Sequence, residues 1–334
     1  MDPHRLPRPV GITATGQCYP PRVVTNDDLA LLLDTTDEWI RTRTGIRERR
    51  WAEPGTGASD LAAPALAMAL EQRGLPAAEL DAILVATVTP DHAFPATACL
   101  VQARLGAARA FGFDLSAACS GFVYALATGA SLVAAGTCRT VAVIGVDVMS
   151  TLLDVEDRRT AVLFGDGAGA VLLEPVDPGL GLLDFDLGMD GAGAHALYLP
   201  AGGSRRPASA ETVAAKEHCA VQNGKEVYRH AVPRMAAAAR LMMDRNRLAP
   251  ADLALFVPHQ ANLRIMEAAA RRLDLPAGKM MVNVDRFANT TAATIPTALH
   301  QAAALGRLAK GDRVILAAFG AGFTWGSALL KWAY

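Results

Sequence analysis

Short runs of apolar, often β-branched residues recur along the chain and alternate with alanine-rich segments. The apolar runs predict buried strands at 81–90, 139–148, 160–166, 253–259 and 313–322. The alanine-rich segments have the length and composition of helices, for example at 58–74 and 264–274. This alternation predicts an α/β fold in which helices cover central sheets.

The same order of elements occurs twice. Two pairs of matching strand starts lie 171 and 174 residues apart, namely Asp81 with Asp252 and Arg139 with Arg313. A repeat at a nearly constant offset is typical of a duplicated fold. We therefore expect two βαβαβ halves, residues 1–175 and residues 176–334.

Composition narrows the class of protein. With 334 residues, 51% of them hydrophobic, the chain is long enough to bury a large core. A net charge of −1 gives no indication of nucleic-acid binding, and no apolar run is long enough to predict a membrane span or a signal peptide. The five cysteines are scattered and odd in number, which favours free thiols in a reducing cytoplasm, and none has zinc-site spacing.

One cysteine stands where chemistry is expected. Cys119 follows an apolar run, has small neighbours on both sides, and precedes a helix-like stretch. At a helix N-terminus the unpaired N–H groups and the helix dipole would lower the thiol pKa and make it a nucleophile. The alternative is a small buried core residue.

A reactive thiol needs polar partners from elsewhere in the chain. His259 ends a predicted strand in VPHQAN, and the carboxyl ends of strands are where α/β sheets present their chemistry. Asn289 stands at a predicted helix start, close to the position that the duplication matches with Cys119. The alternatives are a capping or core histidine and a helix N-cap asparagine. If the two halves are related by approximate twofold symmetry, the three side chains would converge.

Several segments together carry a family resemblance: AACSGF, VPHQANLR, ANTTAATIP and FGAGFTWGSAL, with TTDEWIRTRTGIRER, DHAFPATACLVQARLG and DRRTAVLFGDGAGAVLLE. In this order they resemble 3-ketoacyl-(acyl carrier protein) synthase III, the thiolase-fold enzyme that starts bacterial type II fatty acid synthesis. The resemblance implies a five-layered αβαβα fold made of duplicated halves. It also implies condensation of a short acyl-CoA with malonyl-(acyl carrier protein), without a cofactor, through an acyl-cysteine intermediate.

The resemblance also assigns roles to residues. Cys119, His259 and Asn289 would be the catalytic triad, and the backbone N–H groups of Cys119 and Ala321 the oxyanion hole. The positions that match coenzyme A contacts are Trp39, Arg43, Thr44, Arg158, Gly224, Ala261 and Asn262. Those that match acyl carrier protein contacts are Gln260, Ala261, Asn262, Leu263 and Arg264. Phe94 matches the residue that closes the acyl pocket of the neighbouring subunit, so a homodimer is expected.

The chain departs from the family pattern at four positions: Gln222, Lys225, Ala288 and Ala321. Those departures leave the acyl-donor preference open. A starter-unit condensing enzyme or acyltransferase of a polyketide or quinolone pathway would carry the same triad, so it remains the alternative. A non-catalytic partner subunit is disfavoured by the presence of Cys119. A dinucleotide site at FGAGFTWG is disfavoured because no helix follows the glycines.

Overall fold

The computed structural model describes residues 6–334. The strands are β1 Val10–Cys18, β2 Val23–Thr25, β3 Glu48–Arg50, β4 Ala82–Ala86, β5 Phe111–Leu115, β6 Val141–Val148, β7 Asp166–Pro175, β8 Gly181–Met189, β9 Leu197–Tyr198, β10 Val221–Gln222, β11 Leu255–Pro258, β12 Arg313–Gly320 and β13 Thr324–Lys331. The helices are α1 Asn26–Ala30, α2 Asp37–Thr44, α3 Ala58–Arg73, α4 Thr97–Leu105, α5 Gly121–Ala134, α6 Ala210–Ala214, α7 Gly224–Arg245, α8 Leu263–Arg272, α9 Val284–Phe287 and α10 Thr294–Ala304.

Two sheets organise the molecule and repeat one topology. The first has the strand order β1-β7-β6-β4-β5 and the second β11-β12-β13-β8. In the first, β4 runs parallel to β6, which pairs antiparallel with β7, and β7 pairs antiparallel with β1. In the second, β11, β12, β13 and β8 pair in the same sequence of directions. The boundary between 175 and 176 falls between β7 and β8, and its role as the border of two halves stays a prediction.

The layers follow from where the apolar side chains are buried. One core cluster joins α5 and α10 to the inner faces of both sheets. A second cluster packs α3 and α4 on the outer face of the first sheet, and a third packs α7 and α8 on the second sheet. The result is a five-layered αβαβα arrangement, as the family resemblance implies.

One predicted strand is wrong. Residues 160–163 form turns, Phe164 makes an isolated bridge to Asn289, and the buried strand begins only at Asp166 and continues to Pro175. The glycines of FGDGAGAVLLE therefore lie in or beside a central strand. Close packing explains why glycine occupies these positions. A Cβ at Gly167 would lie 2.8 Å from the Tyr19 ring, and one at Gly169 would lie 2.7 Å from the Thr297 nitrogen in α10.

Among residues 6–334, none of the helices is both long enough and apolar enough to cross a bilayer.

Candidate active site

The three side chains that were predicted to carry out the chemistry line one cavity of about 170 Å³. Cys119 comes from the segment before α5, His259 from the residue directly after β11, and Asn289 from the segment between α9 and α10. All three are buried, at 5%, 2% and 7% exposure. The sequence therefore identified a set of residues that the fold brings together.

Cys119 lies in a short 3₁₀ turn, Ala118–Ser120, immediately before α5. Ala118 takes a left-handed conformation with φ +48°. Gly320 at the end of β12 approaches this turn so closely that a Cβ there would lie 2.8 Å from the Cys119 nitrogen. A glycine is therefore needed where the two halves meet at the thiol.

The expected lowering of the thiol pKa is wrong. Burial, with a smaller contribution from the charge of Asp147, raises the pKa of Cys119 to about 12, and only the backbone N–H of Cys119 itself lowers it. Desolvation outweighs the partial charge of the helix start because the thiol is enclosed. The resting group is a neutral thiol that needs a base when a thioester arrives.

His259 is available as that base. Burial lowers the pKa of His259 to about 3, so the ring is neutral at physiological pH. Its Nδ1 lies 2.7 Å from the Thr294 hydroxyl, which in turn lies 3.0 Å from the Thr291 carbonyl oxygen. Thr294 carries one hydroxyl hydrogen and two acceptors within reach, so either neutral tautomer of His259 has a satisfied Nδ1.

Asn289 is held by backbone groups. Its side-chain oxygen accepts a hydrogen bond of 2.8 Å from the Thr291 N–H, which leaves the amide NH₂ for other contacts. Its own backbone pairs with the segment before β7, through Leu163 and Gly165. The helix α10 begins five residues later, at Thr294, so Asn289 is not the N-cap that the alternative interpretation required.

A second cavity of about 160 Å³ also reaches Cys119. Its other lining side chains are almost all apolar: Val88, Ala118, Met149, Leu152, Phe164, Leu197, Tyr198, Leu199, Ala220, Thr291 and Ala321. Sequence reasoning missed this cavity, and it missed the positions of Thr294 and Asp147. These residues come from many separate segments, so no local motif marks them.

Two departures from the family pattern, Ala321 and Ala288, differ in the backbone strain that they cause. Ala321 needs no unusual conformation, because the positive φ of this loop falls on Gly322 at +131°. Ala288 has φ +56° and ψ −157°, a region that only glycine adopts freely. The first change is therefore accommodated, whereas the second strains the residue next to Asn289.

The residues expected to contact coenzyme A form two groups. Gly224, Ala261 and Asn262 line the cavity that holds Cys119. Outside it, the guanidinium groups of Arg43 and Arg158 lie 4.8 and 4.7 Å from the centre of the Trp39 ring. The Asn262 amide donates a 3.1 Å hydrogen bond to the Arg43 carbonyl and connects the two groups.

Two expected contacts do not fit the structure. The Thr44 side chain is buried and donates to the Ile40 carbonyl, so its hydroxyl cannot reach coenzyme A at the surface. Gln260 is fully buried, and its amide bonds Pro258, Met281 and Asn283. It orders the loop that carries His259 and cannot touch a carrier protein. The remaining expected carrier-protein contacts, Ala261, Asn262, Leu263 and Arg264, are partly or fully exposed.

The duplicated fold and the buried cysteine, histidine and asparagine define a thiolase-fold acyltransferase of the condensing-enzyme class. The comparisons agree with this class. The profiles of 3-oxoacyl-acyl-carrier-protein synthase III match residues 113–191, and those of its C-terminal part match residues 243–332. The chain belongs to this family.

Individual relatives match almost the whole chain. It is 51% identical to the beta-ketoacyl-acyl-carrier-protein synthase III of Desulfitobacterium hafniense, over 97% of this chain and 98% of the relative. The crystal structure of this enzyme from Thermus thermophilus is 46% identical, with a TM-score of 0.88 over 96% of this chain and 99% of that one. The priming beta-ketosynthase of the R1128 polyketide pathway is 35% identical, with a TM-score of 0.90 over 99% and 98%.

Proposed function

We propose that this chain condenses a short acyl-CoA with malonyl-(acyl carrier protein) and so initiates type II fatty acid synthesis. The observation that carries the proposal is the single cavity lined by Cys119, His259 and Asn289. Sequence identity near 50% to curated enzymes of this activity favours it over a starter-unit enzyme of a polyketide or quinolone pathway.

In the first half-reaction Cys119 takes the acyl group. His259 Nε2 accepts the thiol proton, the sulfur attacks the thioester carbonyl, and the proton passes to the departing coenzyme A sulfur. The backbone N–H groups of Cys119 and Ala321 hold the oxyanion of the tetrahedral intermediate. This step uses the tautomer with hydrogen on Nδ1, which donates to Thr294.

In the second half-reaction malonyl-(acyl carrier protein) loses carbon dioxide. The resulting enolate oxygen accepts from the Asn289 NH₂ and from His259 Nε2–H, in the tautomer whose Nδ1 accepts from Thr294. The carbanion attacks the acyl-Cys119 carbonyl, and collapse expels the thiolate, which takes up the one proton that the overall reaction consumes. An amide suits this step, since a carboxylate at Asn289 would repel the developing negative charge.

The bound acyl chain occupies the second, apolar cavity. Its volume of about 160 Å³ is more than a methyl group needs, so it accommodates an acetyl group and also a somewhat longer acyl chain. The coenzyme A arm follows the cavity past Gly224, Ala261 and Asn262. Its adenine binds at Trp39, where one of the two stacked guanidinium groups must move aside.

The acyl carrier protein is proposed to dock around Arg264, the exposed cation at the start of α8.

The substrates themselves carry the activation that the reaction needs, as thioester and carboxylate, so we propose that it runs without a cofactor and expect chelators to leave the rate unchanged. A cytoplasmic location remains a prediction from the sequence.

A homodimer is proposed from exposed aromatic side chains near one sheet edge. Phe94 is 86% exposed, and Phe111 and Phe113 are exposed on β5, the edge strand of the first sheet. The Asp114 carboxylate in β5 accepts from the Thr97 and Ala98 N–H groups, which fixes the segment after Phe94 beside that edge. A second copy would cover these aromatic side chains.

The test is a condensation assay with malonyl-(acyl carrier protein) and acyl-CoA donors from acetyl to medium and branched chains. Product and carbon dioxide are followed together for the wild type, Cys119→Ala and Asn289→Ala. Cys138→Ala is the matched control, because Cys138 is also a buried free thiol but lines neither cavity.

We expect acetyl-CoA to give acetoacetyl-(acyl carrier protein), Cys119→Ala to abolish it, and Cys138→Ala to retain it. A wild type that is acylated on Cys119 yet releases no carbon dioxide would refute the proposal. A strong preference for an unusual starter over acetyl-CoA would instead support the secondary-pathway alternative.

A further inference from the structure

A buried carboxylate outside the triad joins the two loops behind it. Asp147, in β6, is fully buried. Its Oδ1 accepts from the Val88 N–H at 2.7 Å, the Thr89 N–H at 3.1 Å, and the hydroxyls of Thr87 and Thr89 at 3.0 Å. None of these partners is an arginine or a lysine. A buried carboxylate without a cationic partner is costly, so these hydrogen bonds are needed to compensate its loss of hydration.

The other oxygen of Asp147 holds the turn that follows Asn289. Oδ2 accepts from the Thr291 hydroxyl and from the Ala292 N–H, the latter at 3.3 Å. Thr291 has φ +49°, a conformation that a β-branched residue rarely adopts. The carboxylate therefore supports a strained turn at the point where the turn contacts the catalytic asparagine.

That turn sets the orientation of the Asn289 amide. The Thr291 N–H donates to Asn289 Oδ1 at 2.8 Å, so the amide oxygen is engaged and the NH₂ is the free end. Strand β6 supports the same turn a second time, since Gly145 approaches it so closely that a Cβ would lie 2.2 Å from the Ala292 oxygen.

We propose that Asp147 is a positioning residue for decarboxylation, which acts through Thr291 to aim the Asn289 NH₂ at the enolate oxygen. The inference rests on the proposed function, because it needs Asn289 to stabilise that oxygen. Both carboxylate oxygens accept from backbone N–H groups. Burial raises the pKa of the Asp147 carboxyl, and these hydrogen bonds act in the opposite direction by favouring the ionised form.

Asp147→Asn is the sharpest test. The variant keeps size and shape but has one acceptor oxygen, so its NH₂ must face either Ala292 N–H or the N–H groups of Val88 and Thr89. Two rates are measured separately: acylation of Cys119 by acyl-CoA, from coenzyme A release, and carbon dioxide release from malonyl-(acyl carrier protein).

We expect carbon dioxide release to fall by about tenfold to a hundredfold, the scale of a misplaced catalytic group. Acylation is expected to be unchanged or faster, because removing the nearby charge lowers the pKa of Cys119. In an Asn289→Ala background the Asp147→Asn effect should vanish, since the positioned group is absent. Asp184→Asn is the control: Asp184 is a buried carboxylate that bonds Arg245 and Asn246 and lines neither cavity, so both rates should be retained.

The proposal is overturned if Asp147→Asn lowers both rates in the same proportion, if its effect adds to that of Asn289→Ala, or if decarboxylation is unchanged. If Asp147→Asn does not fold, the pair Thr291→Ala and Thr291→Ser decides. Loss of decarboxylation in the alanine variant with recovery in the serine variant supports the proposal, and equal behaviour refutes it.

The two proposals can fail separately. If the wild-type protein releases no carbon dioxide, the proposed function itself is refuted. If carbon dioxide release depends on Asn289 but does not change on substitution of Asp147 or removal of the Thr291 hydroxyl, only the positioning role is refuted.

Discussion

Ala288 carries backbone strain directly beside a proposed catalytic side chain. Its φ of +56° and ψ of −157° cost a residue with a side chain about 1–3 kcal/mol. We expect Ala288→Gly to raise the free energy of unfolding by up to about 1 kcal/mol, because relief of strain outweighs the lost methyl burial and the greater freedom of unfolded glycine. Denaturant unfolding measures this change.

Ala293 provides the comparison for that experiment. It lies in the same segment with an ordinary φ of −76°. Ala293→Gly should therefore lower the free energy of unfolding by about 1 kcal/mol, the usual cost of glycine where no strain is relieved. Destabilisation by both substitutions would show that Ala288 is not strained.

The buried neutral ring of His259 makes stability depend on pH. Its pKa is about 3 in the folded protein, whereas the unfolded chain takes up a proton below about pH 6.5. More protons are bound by the unfolded state in this window, so the free energy of unfolding falls as pH falls from 6.5 towards 3. The slope from this group is up to about 1.4 kcal/mol per pH unit.

His259→Gln isolates that contribution. The difference in unfolding free energy between wild type and variant should shrink or change sign as the pH is lowered from 7 to 4, because the variant lacks the protonation penalty. Parallel pH profiles for the two proteins would contradict a buried neutral His259. The measurement is a series of urea unfolding curves at fixed ionic strength.

At the scale of elements, β6 and the 3₁₀ turn Thr291–Ala293 are packed backbone to backbone. A methyl group at Gly145 would lie 2.2 Å from the Ala292 oxygen, and backbone atoms cannot move aside as a side-chain tip can. We expect Gly145→Ala to lower the free energy of unfolding by about 1–3 kcal/mol and to reduce condensation. Gly191→Ala, at a position with no atoms within 4 Å, should change neither.

Calorimetry and the condensation assay read out this pair of variants. A stable and fully active Gly145→Ala would mean that the turn can shift away from β6 without moving Asn289. That result would also weaken the positioning role proposed for Asp147, which depends on the same rigid arrangement.

Elements with a clear apolar pattern were predictable from the sequence, and elements fixed by close approach were not. The runs that became β4, β6, β11 and β12 were predicted because uninterrupted apolar residues have few alternatives to a buried strand. Strand β7 was misplaced because its glycines are typical of turns, whereas here they admit Tyr19 and α10 against the strand.

The same limit applied to the site. Cys119, His259 and Asn289 stand in recognisable local contexts, so sequence alone could group them. The direction of the shift in the Cys119 pKa could not be predicted, because the residues that bury the thiol and the charge of Asp147 lie far away in the chain. Thr294 and Asp147 are ordinary residues until the fold places them against the triad.

At the scale of the whole molecule, the exposed aromatic side chains near β5 distinguish one face from the rest. Phe94, Phe111 and Phe113 lie at or near an edge strand whose outer hydrogen-bonding groups have no neighbouring strand in the first sheet. An exposed edge with large apolar side chains favours association, and a charge placed there opposes it. We therefore expect the wild type to be a dimer and Phe113→Glu to be a monomer.

Light scattering after size-exclusion chromatography measures that change, with Leu31→Glu as the control. Leu31 is 85% exposed but lies between α1 and α2, away from β5, so its substitution should leave the dimer intact. If Phe94 also closes the acyl pocket of the partner, the Phe113→Glu monomer should lose condensation while its fold is retained, as judged by circular dichroism. A Phe113→Glu protein that stays dimeric would place the interface elsewhere, and an active monomer would show that each site is complete within one chain.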